Sequence, residues 1–433
     1  MGKAPTMDDS PGEEHAAFTQ WAVSHGIKIK GIAPARFPGR RLGMIATRDI
    51  EENEIMLSIP VSLMLTIDSI PESFVSLFPA ETSIHGVLAA FLTHGDPGLL
   101  AELDAWRSVW PDWAEFESSM PVFWPARLRR SNSSVVGRGD SVSEGLTFLP
   151  PSISGLWDSF EKLAGPEDYE YETRYQNLLA QQEKRLQDAW KHVLSVFPET
   201  DWKAFAYNWA IINSRSFYYV SPGKDEPEDW NDAIGMVPYA DYFNHVDDAA
   251  CDVTFNGKKY TFRATRRYDK GEEIYMSYGS HSNDFLLVEY GFYLDNNPSD
   301  GVYLDDIILK DLTPSEKEEL GGQDCLGNFE ITASGADTNT VAAAGLKYMD
   351  RQDWREYVAG ASEKGLDARK TADIIGGWVA KYLQECEVTI NCLSEGSTES
   401  EAEKEKLDSI LARWKQIQQL CETAVNAVNA IAQ

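Results

Sequence analysis

The chain has 433 residues, of which 43% are hydrophobic, and its 69 acidic residues against 39 basic ones give a formal net charge of -30. This apolar content predicts a globular protein of two or three domains and excludes a mainly disordered chain. The negative charge argues against a nucleic-acid partner and favours basic protein partners. No run of about 18 apolar residues occurs, which argues against a membrane span.

The cysteines and the N-terminal residues bear on the cellular compartment. The five cysteines are scattered without a Cys-x-x-Cys pair, which is typical of reduced thiols rather than of disulfides or a zinc site. Residues 1–15 are small, acidic and proline-containing, with no apolar stretch typical of a secretion signal. We therefore expect a cytoplasmic or nuclear protein.

The first part of the chain is predicted to be rich in β-structure. A short helix is expected at residues 18–23, followed by strands at residues 27–30, 44–47 and 55–60. Alternation within the last of these runs places Ile55, Leu57 and Ile59 on one face.

Between residues 68 and 217 the apolar side chains recur at helical spacing. One predicted helix carries a single apolar stripe of Trp202, Phe205, Trp209, Ile212 and Ser216. A segment rich in Ser and Gly at residues 131–145 is predicted to be an exposed loop.

Strand patterns return at residues 233–278. A polar turn at residues 269–272 leads into a run that places Ile274, Met276 and Tyr278 on one face. Beyond residue 307 the pattern is helical, and the last helix has an apolar stripe from Leu407 to Val428. This order of β-rich and helical parts matches neither a doubly wound sheet nor a repeat array.

The densest group of chemically versatile side chains is Asp241-Tyr242-Phe243-Asn244-His245. A histidine beside several acidic residues could form a metal site. No second His or Cys follows at ligand spacing, so we predict that no metal is bound. The Asn and His could equally hydrogen-bond backbone groups in a purely structural role.

Two tyrosines, Tyr278 and Tyr290, lie twelve residues apart, and each precedes a glycine. A buried tyrosine hydroxyl needs a hydrogen-bond partner. A glycine allows the backbone to approach a ligand or another chain segment closely. Composition alone would still assign both tyrosines to the core.

Taken together, these segments resemble the SET-domain methyltransferases, and in particular the branch of RuBisCO large-subunit and ribosomal-protein lysine methyltransferases. The resemblance covers residues 31–300 and, more weakly, a helical C-terminal part. Trp106 and residues 121–125 resemble an aromatic and proline-containing stretch of the helical insert in that branch. The main matching segments, in chain order, are residues 41–50, Asn213-Ser214-Arg215-Ser216, Asn244-His245, Gly271-Glu272-Glu273-Ile274, Tyr278-Gly279 and Tyr290-Gly291-Phe292.

The resemblance implies an α+β fold. A SET domain of small β-sheets, with a knot-like C-terminal segment, would be split by a helical insert and followed by an all-α substrate-binding domain. The implied parts are an N-terminal tail with the first half of the SET domain (1–67), the insert (68–200), the second half with the active site (201–305) and the C-terminal domain (306–433).

The implied activity is transfer of a methyl group from S-adenosylmethionine to a lysine side chain of a non-histone protein. Tyr290 would place its hydroxyl near the reacting methyl group and amine, and Tyr278 would shape the lysine channel. The implied substrate is a basic protein, such as a ribosomal protein or an elongation factor. Histone-directed relatives often carry a zinc-binding cysteine cluster, and none follows Phe292.

The resemblance also implies a set of cofactor-binding residues. Asn244 and His245 would bind largely through backbone groups, and Arg215 would pair with the cofactor carboxylate or brace the pocket. Asp241 would hold the Asn-His turn. The remaining implied contacts are the backbone of Leu42, Gly43 and Met44 and the ring of Phe292 on the adenine.

Two alternatives stay open at this point. A related branch of the same fold methylates histidine in proteins, and fold alone does not fix the acceptor. A SET-like chain could also have lost catalysis and act as a peptide-binding scaffold. A Rossmann-type methyltransferase is disfavoured because no strand leads into a Gly-x-Gly-x-Gly turn.

Overall fold

The computed structural model describes residues 11–37, 41–129, 147–160, 173, 175–227, 230–395 and 400–431. The predicted loop at residues 131–145 lies outside these residues. Across the described part, no helix combines the length and the apolar content needed to cross a membrane.

The described residues form short strands and helices of very different lengths. The strands are β1 (Lys28–Ile29), β2 (Ile32–Phe37), β3 (Arg41–Ala46), β4 (Ile55–Pro60), β5 (Ser216–Tyr218), β6 (Ile234–Met236), β7 (Asn244–His245), β8 (Cys251–Phe255), β9 (Lys259–Ala264), β10 (Glu273–Met276), β11 (Gly301–Tyr303), β12 (Glu330–Thr332) and β13 (Gly335–Ala336). The α-helices are α1 (Glu13–Ser24), α2 (Glu72–Val75), α3 (Ile84–His94), α4 (Pro97–Ala101), α5 (Asp104–Arg107), α6 (Trp113–Ser119), α7 (Pro151–Ser154), α8 (Leu178–Val196), α9 (Trp202–Arg215), α10 (Asn283–Tyr290), α11 (Asp305–Asp311), α12 (Pro314–Gly321), α13 (Thr338–Leu346), α14 (Arg351–Val358), α15 (Ala368–Glu395) and α16 (Glu401–Ile431). Single turns of 3-10 helix lie at Val61–Leu63, Ile67–Ser69, Pro121–Phe123, Ala126–Leu128, Trp230–Asp232 and Ala240–Tyr242.

The chain divides into two compact units. The first comprises residues 1–116 and 184–280, and the second comprises residues 117–183 and 281–433. The segment that carries Tyr290 and Phe292 therefore belongs to the same unit as the C-terminal helices. The four-part division of the sequence stays a prediction.

Two four-stranded sheets organise the first unit, with strand orders β1-β4-β9-β8 and β2-β3-β10-β7. β3 pairs with β2 on one side and with β10 on the other, both antiparallel. β7 is the edge strand of its sheet and runs parallel to β10, so that Asn244 lies opposite Tyr275 and His245 opposite Met276. Three of the motif segments, residues 41–50, Asn244-His245 and Gly271–Ile274, thus contribute strands to one sheet.

The strand predictions for this unit hold in outline and differ in detail. In β4 the residues from Met56 to Ile59 are all buried, so the strand is covered on both faces instead of one. β10 ends at Met276, so Tyr278, which was predicted to lie in this strand, follows it instead. The turn before β10 is as predicted, with Gly271 at φ +93°, a backbone conformation that favours glycine.

Helix α9 shows how the core of the first unit is built. Its N-cap is Asp201, whose side chain accepts a hydrogen bond from the Ala204 N–H at 2.8 Å. Phe205, Trp209 and Ile212 are fully buried, as the predicted stripe requires. The stripe is shorter than predicted, because the helix ends at Arg215 and Ser216 begins β5. Helix α3 packs against this helix.

The second unit contains the long helices α15 and α16, which pack against each other. Ile410, Trp414, Ile417 and Cys421 of the predicted stripe in α16 are buried. The C-terminal part is helical, as predicted, but not all-α, because β12 and β13 pair with β11 in a three-stranded sheet. These strands are two or three residues long, too short for a periodicity of two to be visible in the sequence.

Candidate cofactor and methyl-transfer site

Asn244 is the centre of a polar network at the edge of the second sheet of the first unit. Its Nδ2 donates to the backbone carbonyl of Leu42 at 2.9 Å and to Glu273 Oε1 at 2.8 Å. The hydroxyl of Tyr275 donates to the other oxygen of Glu273 at 2.5 Å. A carbonyl and a carboxylate oxygen can only accept, so the network fixes which way the Asn244 amide faces. Its Oδ1 points away from both acceptors.

Gly43 lies directly beside this network. A Cβ at this position would be 2.7 Å from both Asn244 Nδ2 and Glu273 Oε1 and 3.0 Å from a ring carbon of Phe37. No real Cβ is found so close to other atoms, so the packing at this position requires glycine. The neighbouring Met44 is fully buried opposite Ile274 in the strand ladder. The predicted Leu42-Gly43-Met44 segment and Asn244 are thus adjacent.

His245 and Tyr278 are also brought together. The Tyr278 N–H donates to His245 Nδ1 at 3.0 Å, and the two rings stack with centroids 4.9 Å apart. The Tyr278 hydroxyl donates to the backbone carbonyl of Phe243 at 2.6 Å. Burial lowers the pKa of His245 and raises the pKa of Tyr278 to about 12. Both side chains are therefore neutral at pH 7.

Arg215 and Asp241 form a partly buried ion pair. Arg215 Nη1 donates to the Asp241 backbone carbonyl at 3.1 Å and to its Oδ2 at 3.3 Å, and the indole N–H of Trp106 donates to the same Oδ2 at 3.2 Å. Burial raises the pKa of Asp241, against the opposing effects of Arg215 and Trp106. Among the described residues, neither Asp241 Oδ1 nor Arg215 Nε has a hydrogen-bond partner, although both atoms are buried.

The turn that carries Asp241 is held in an unusual backbone conformation. Tyr239 has φ +74°, which is uncommon for a residue other than glycine and is found preferentially where surrounding structure enforces it. Helix α1 supplies that support: His15 Nδ1 is hydrogen-bonded to the Tyr242 hydroxyl at 2.7 Å, and the ring of Phe18 packs near Tyr239 and Tyr242. The N-terminal helix thus stabilises the turn that precedes Asn244 in the chain.

Tyr290 and Phe292 lie in the second unit. Tyr290 is the last residue of α10, and Gly291 ends that helix with φ +79°. A Cβ on Gly291 would be 2.7 Å from the Ser119 hydroxyl oxygen, so a glycine is required for two reasons. The rings of Tyr290 and Phe292 are 6.1 Å apart.

Three residues that make these contacts, Glu273, Tyr275 and Trp106, were not among the predicted site residues. Glu273 occurs in the Gly-Glu-Glu-Ile segment, but the motif itself does not show which of its two glutamates turns inward. Trp106 reaches Asp241 over a separation of 135 residues, a contact that no local pattern reveals. Alternation in β10 was the available signal, since it places Glu273 and Tyr275 on the face opposite Ile274.

The arrangement fits a zwitterionic ligand better than a metal ion. No group of three or more His, Cys, Asp or Glu side chains suited to a metal occurs among the described residues. The buried acceptor on Asp241 and the buried donor on Arg215 are free to pair with a ligand's ammonium and carboxylate groups. The edge strand β7 adds backbone groups that are not used by the sheet. S-adenosylmethionine carries both charged groups on its amino-acid end.

Comparison with known proteins shows the family. The family model described as SET domain matches residues 41–279, which is more than half of the chain. The matched range begins at β3 and ends at Gly279, so it contains the whole network in the first unit.

Several curated relatives are similar to the chain. SET domain-containing protein 4 of Homo sapiens is 21% identical over 98% of this chain and 93% of its own length. Ribosomal lysine N-methyltransferase set11 of Schizosaccharomyces pombe is 27% identical over 46% of this chain and 55% of its own length. Actin-histidine N-methyltransferase of Drosophila melanogaster is 22% identical over 69% of this chain and 53% of its own length.

Solved structures show the same fold. A crystal structure of the SET domain of LSMT bound to methyllysine and AdoHcy matches with a TM-score of 0.58 at 15% identity, covering 98% of this chain and 93% of that one. The α+β fold predicted from the motifs is confirmed. The chain belongs to the SET-domain family of S-adenosylmethionine-dependent methyltransferases.

Proposed function

We propose that this methyltransferase modifies a lysine side chain of a basic, non-histone protein. The observation that carries the proposal is the network around Asn244, which fixes the side-chain amide on an edge strand beside Gly43 and the Arg215–Asp241 pair. Relatives named as ribosomal lysine N-methyltransferases support the choice of lysine.

The chain's own residues fit the cofactor in distinct ways. Arg215 Nε and Asp241 Oδ1 would hold the carboxylate and the ammonium group, because both are buried and lack other partners in the described residues. Asn244 Oδ1 and the outer edge of β7 would supply further polar contacts. The assignment of Phe292 to the adenine ring follows from the sequence resemblance alone and stays a prediction. When bound, S-adenosylmethionine supplies an electrophilic methyl group on a sulfonium.

The protein's part in the reaction is mainly to position and desolvate the two reactants. A lysine amine has an ordinary pKa of about 10.4 and must lose its proton before its lone pair can attack the methyl carbon. Burial in a narrow channel disfavours the charged form and so promotes this loss. We assign Tyr290 to orient the amine by hydrogen bonding, and Tyr278 to shape the channel.

Tyr278 is suited to this role because its hydroxyl is committed to the Phe243 carbonyl at 2.6 Å. Its raised pKa of about 12 keeps the hydroxyl protonated throughout the physiological range. Tyr278 therefore lines the channel with a fixed ring and hydroxyl group and does not act as a proton acceptor.

The charge of the protein supports a basic substrate. A formal net charge of -30 attracts lysine- and arginine-rich partners and accelerates their association at low ionic strength. Ribosomal proteins and elongation factors are candidate substrates of this kind. The working compartment, cytoplasm or nucleus, stays a prediction.

Histidine methylation is the second candidate. Its support is the similarity to actin-histidine N-methyltransferases, which extends over 69% of this chain in the Drosophila protein. The scaffold alternative differs from both enzymes in that the cofactor would not bind.

Calorimetric titration with S-adenosylhomocysteine tests the proposed site. We expect micromolar binding by the wild type and loss of binding in Asn244→Ala. Asn339→Ala is the matched control, because that side chain also donates to a backbone carbonyl, Gly327 at 3.2 Å, but lies in the second unit. A folded wild-type protein that does not bind would favour the scaffold.

A further inference from the structure

The C-terminal helix α16 holds the segment around Tyr290 and Phe292 at three places. Arg413 binds two carboxylates of that segment, Gln416 Nε2 donates to the Leu294 carbonyl at 3.2 Å, and the Tyr293 hydroxyl donates to the Ser409 carbonyl at 2.9 Å. The helical spacing of Ser409, Arg413 and Gln416 puts all three on one face of α16.

Arg413 makes the strongest of these contacts. It is fully buried, and its guanidinium donates to Asp284 Oδ1 at 2.7 Å and to the two oxygens of Asp300 at 2.6 and 2.9 Å. Asp284 lies in α10, whose last residue is Tyr290, and Asp300 follows the segment on its other side. One arginine therefore ties together both ends of the segment that carries Tyr290 and Phe292.

Asn283 extends the same network into the segment itself. Its N–H donates to Asp300 Oδ1 at 2.9 Å, and its Nδ2 donates to the Leu294 carbonyl at 2.9 Å. Its Oδ1 accepts from the Leu294 N–H at 3.1 Å and from Asn297 Nδ2 at 3.0 Å. The residues after Phe292 are thus fixed by side chains that Arg413 orders.

A buried arginine with two carboxylates is not needed for stability alone. Apolar side chains of similar volume can often replace a buried ion pair without loss of folding stability, whereas a network of charges fixes one geometry among several. A planar guanidinium that donates along set directions is well suited to that task.

We propose that Arg413 and Gln416 are positioning residues for Tyr290 and Phe292, so that the C-terminal helix sets the geometry of methyl transfer. The inference rests on the proposed roles of Tyr290 and Phe292. It deepens them, because it makes the predicted substrate-binding helices part of the support of the site.

Two variants and two matched controls test the inference. Arg413→Lys keeps the charge but cannot bridge both carboxylates in the same way, and Tyr293→Phe removes one hydroxyl and is expected to fold normally. The controls are Arg355→Lys, which breaks an exposed pair with Glu319, and Tyr348→Phe, which removes a hydroxyl that contacts Thr371 in the same unit.

Steady-state methyl transfer, S-adenosylhomocysteine affinity and hydrogen exchange of residues 286–297 are measured for each protein. We expect Arg413→Lys to lower kcat by about tenfold or more and Tyr293→Phe by a smaller factor, with KM changed by less than about twofold. Amide protection should fall in residues 290–297 and stay unchanged elsewhere in the unit. The controls should leave all three quantities near wild type.

Hydrogen exchange separates this inference from the proposed function. If exchange of residues 290–297 is the same in both variants as in the wild type, the inference is wrong. Protection lost evenly throughout the second unit would also overturn it, since that result indicates a general role in stability. A wild type without methyl-transfer activity would overturn the proposed function, while the exchange data would still decide whether α16 positions the segment.

Discussion

Glu273→Gln is the most informative single change in the first unit, because the two side chains have nearly the same shape. The glutamate accepts one hydrogen bond from Asn244 Nδ2 at 2.8 Å and another from the Tyr275 hydroxyl at 2.5 Å. A glutamine has one accepting oxygen and one donating nitrogen. Its oxygen can accept from one of these donors. Its N–H group would then face either the Asn244 amide nitrogen, which cannot accept, or the Tyr275 hydroxyl, which could accept only by turning its own O–H away.

The expected loss follows from these contacts. A hydrogen bond to a charged group contributes about 1.5–3 kcal/mol, so removing one of the two costs about 2 kcal/mol. If the loss falls on the orientation of Asn244, cofactor affinity decreases about 30-fold, since about 1.4 kcal/mol corresponds to a factor of ten. The cost to folding should be smaller because Asn244 keeps its bond to the Leu42 carbonyl.

The assay is calorimetric titration of the variant with S-adenosylhomocysteine beside thermal unfolding. Glu316→Gln is the control, since Glu316 also accepts two hydrogen bonds, from the Thr313 N–H and hydroxyl at 2.8 and 2.9 Å, but caps a helix in the second unit. The control should lose stability and keep its affinity. An affinity of Glu273→Gln within about twofold of wild type would refute the argument that Glu273 orients Asn244.

Three further predictions concern the same unit. Gly43→Ala introduces a Cβ 2.7 Å from two atoms of the network. We expect urea unfolding to show a loss of about 1–3 kcal/mol in stability, and calorimetry to show at least tenfold weaker S-adenosylhomocysteine binding. Unchanged affinity would contradict the packing argument. Tyr278→Phe removes one hydrogen bond to the Phe243 carbonyl and should lower the free energy of unfolding by about 1 kcal/mol. Because burial raises the pKa of Tyr278 to about 12, the methyl-transfer rate of the wild type between pH 6 and 9 should show no titration of this group. Burial lowers the pKa of His85 from 6.5 to about 3. As the pH falls below about 6.5, the unfolded chain therefore binds a proton at this side chain that the folded protein does not bind. The free energy of unfolding decreases as a result, by about 2 kcal/mol at pH 5. Urea unfolding of His85→Gln should show a weaker dependence on pH over this range, and equal slopes would be inconsistent with a buried, neutral histidine.

The parts of the fold that local patterns govern could be predicted from the sequence. The stripe of α9, the turn that requires Gly271 and the apolar face of α16 all follow from spacing along the chain. The motif resemblance added the assignment to the SET-domain family, which the family match over residues 41–279 confirms.

The contacts that build the site depend on residues far apart in the chain. Asn244 and Leu42 are separated by 202 residues, and Arg413 and Asp284 by 129. A charged residue on a long helix is normally exposed, so nothing in the local pattern of α16 marks Arg413 as buried. The parallel pairing of two-residue β7 with β10 is equally invisible, because so short a strand has no measurable alternation.

The central claim is that the protein transfers methyl groups to lysine, and the direct measurement is the identity of the methylated amino acid. Lysate from cells lacking the enzyme is incubated with the purified protein and methyl-labelled S-adenosylmethionine, and the labelled proteins are hydrolysed and analysed by mass spectrometry. The account predicts label in Nε-methyllysine with wild type and loss of most of it with Tyr290→Phe. Label in methylhistidine, or no label from a protein that binds the cofactor, would contradict it.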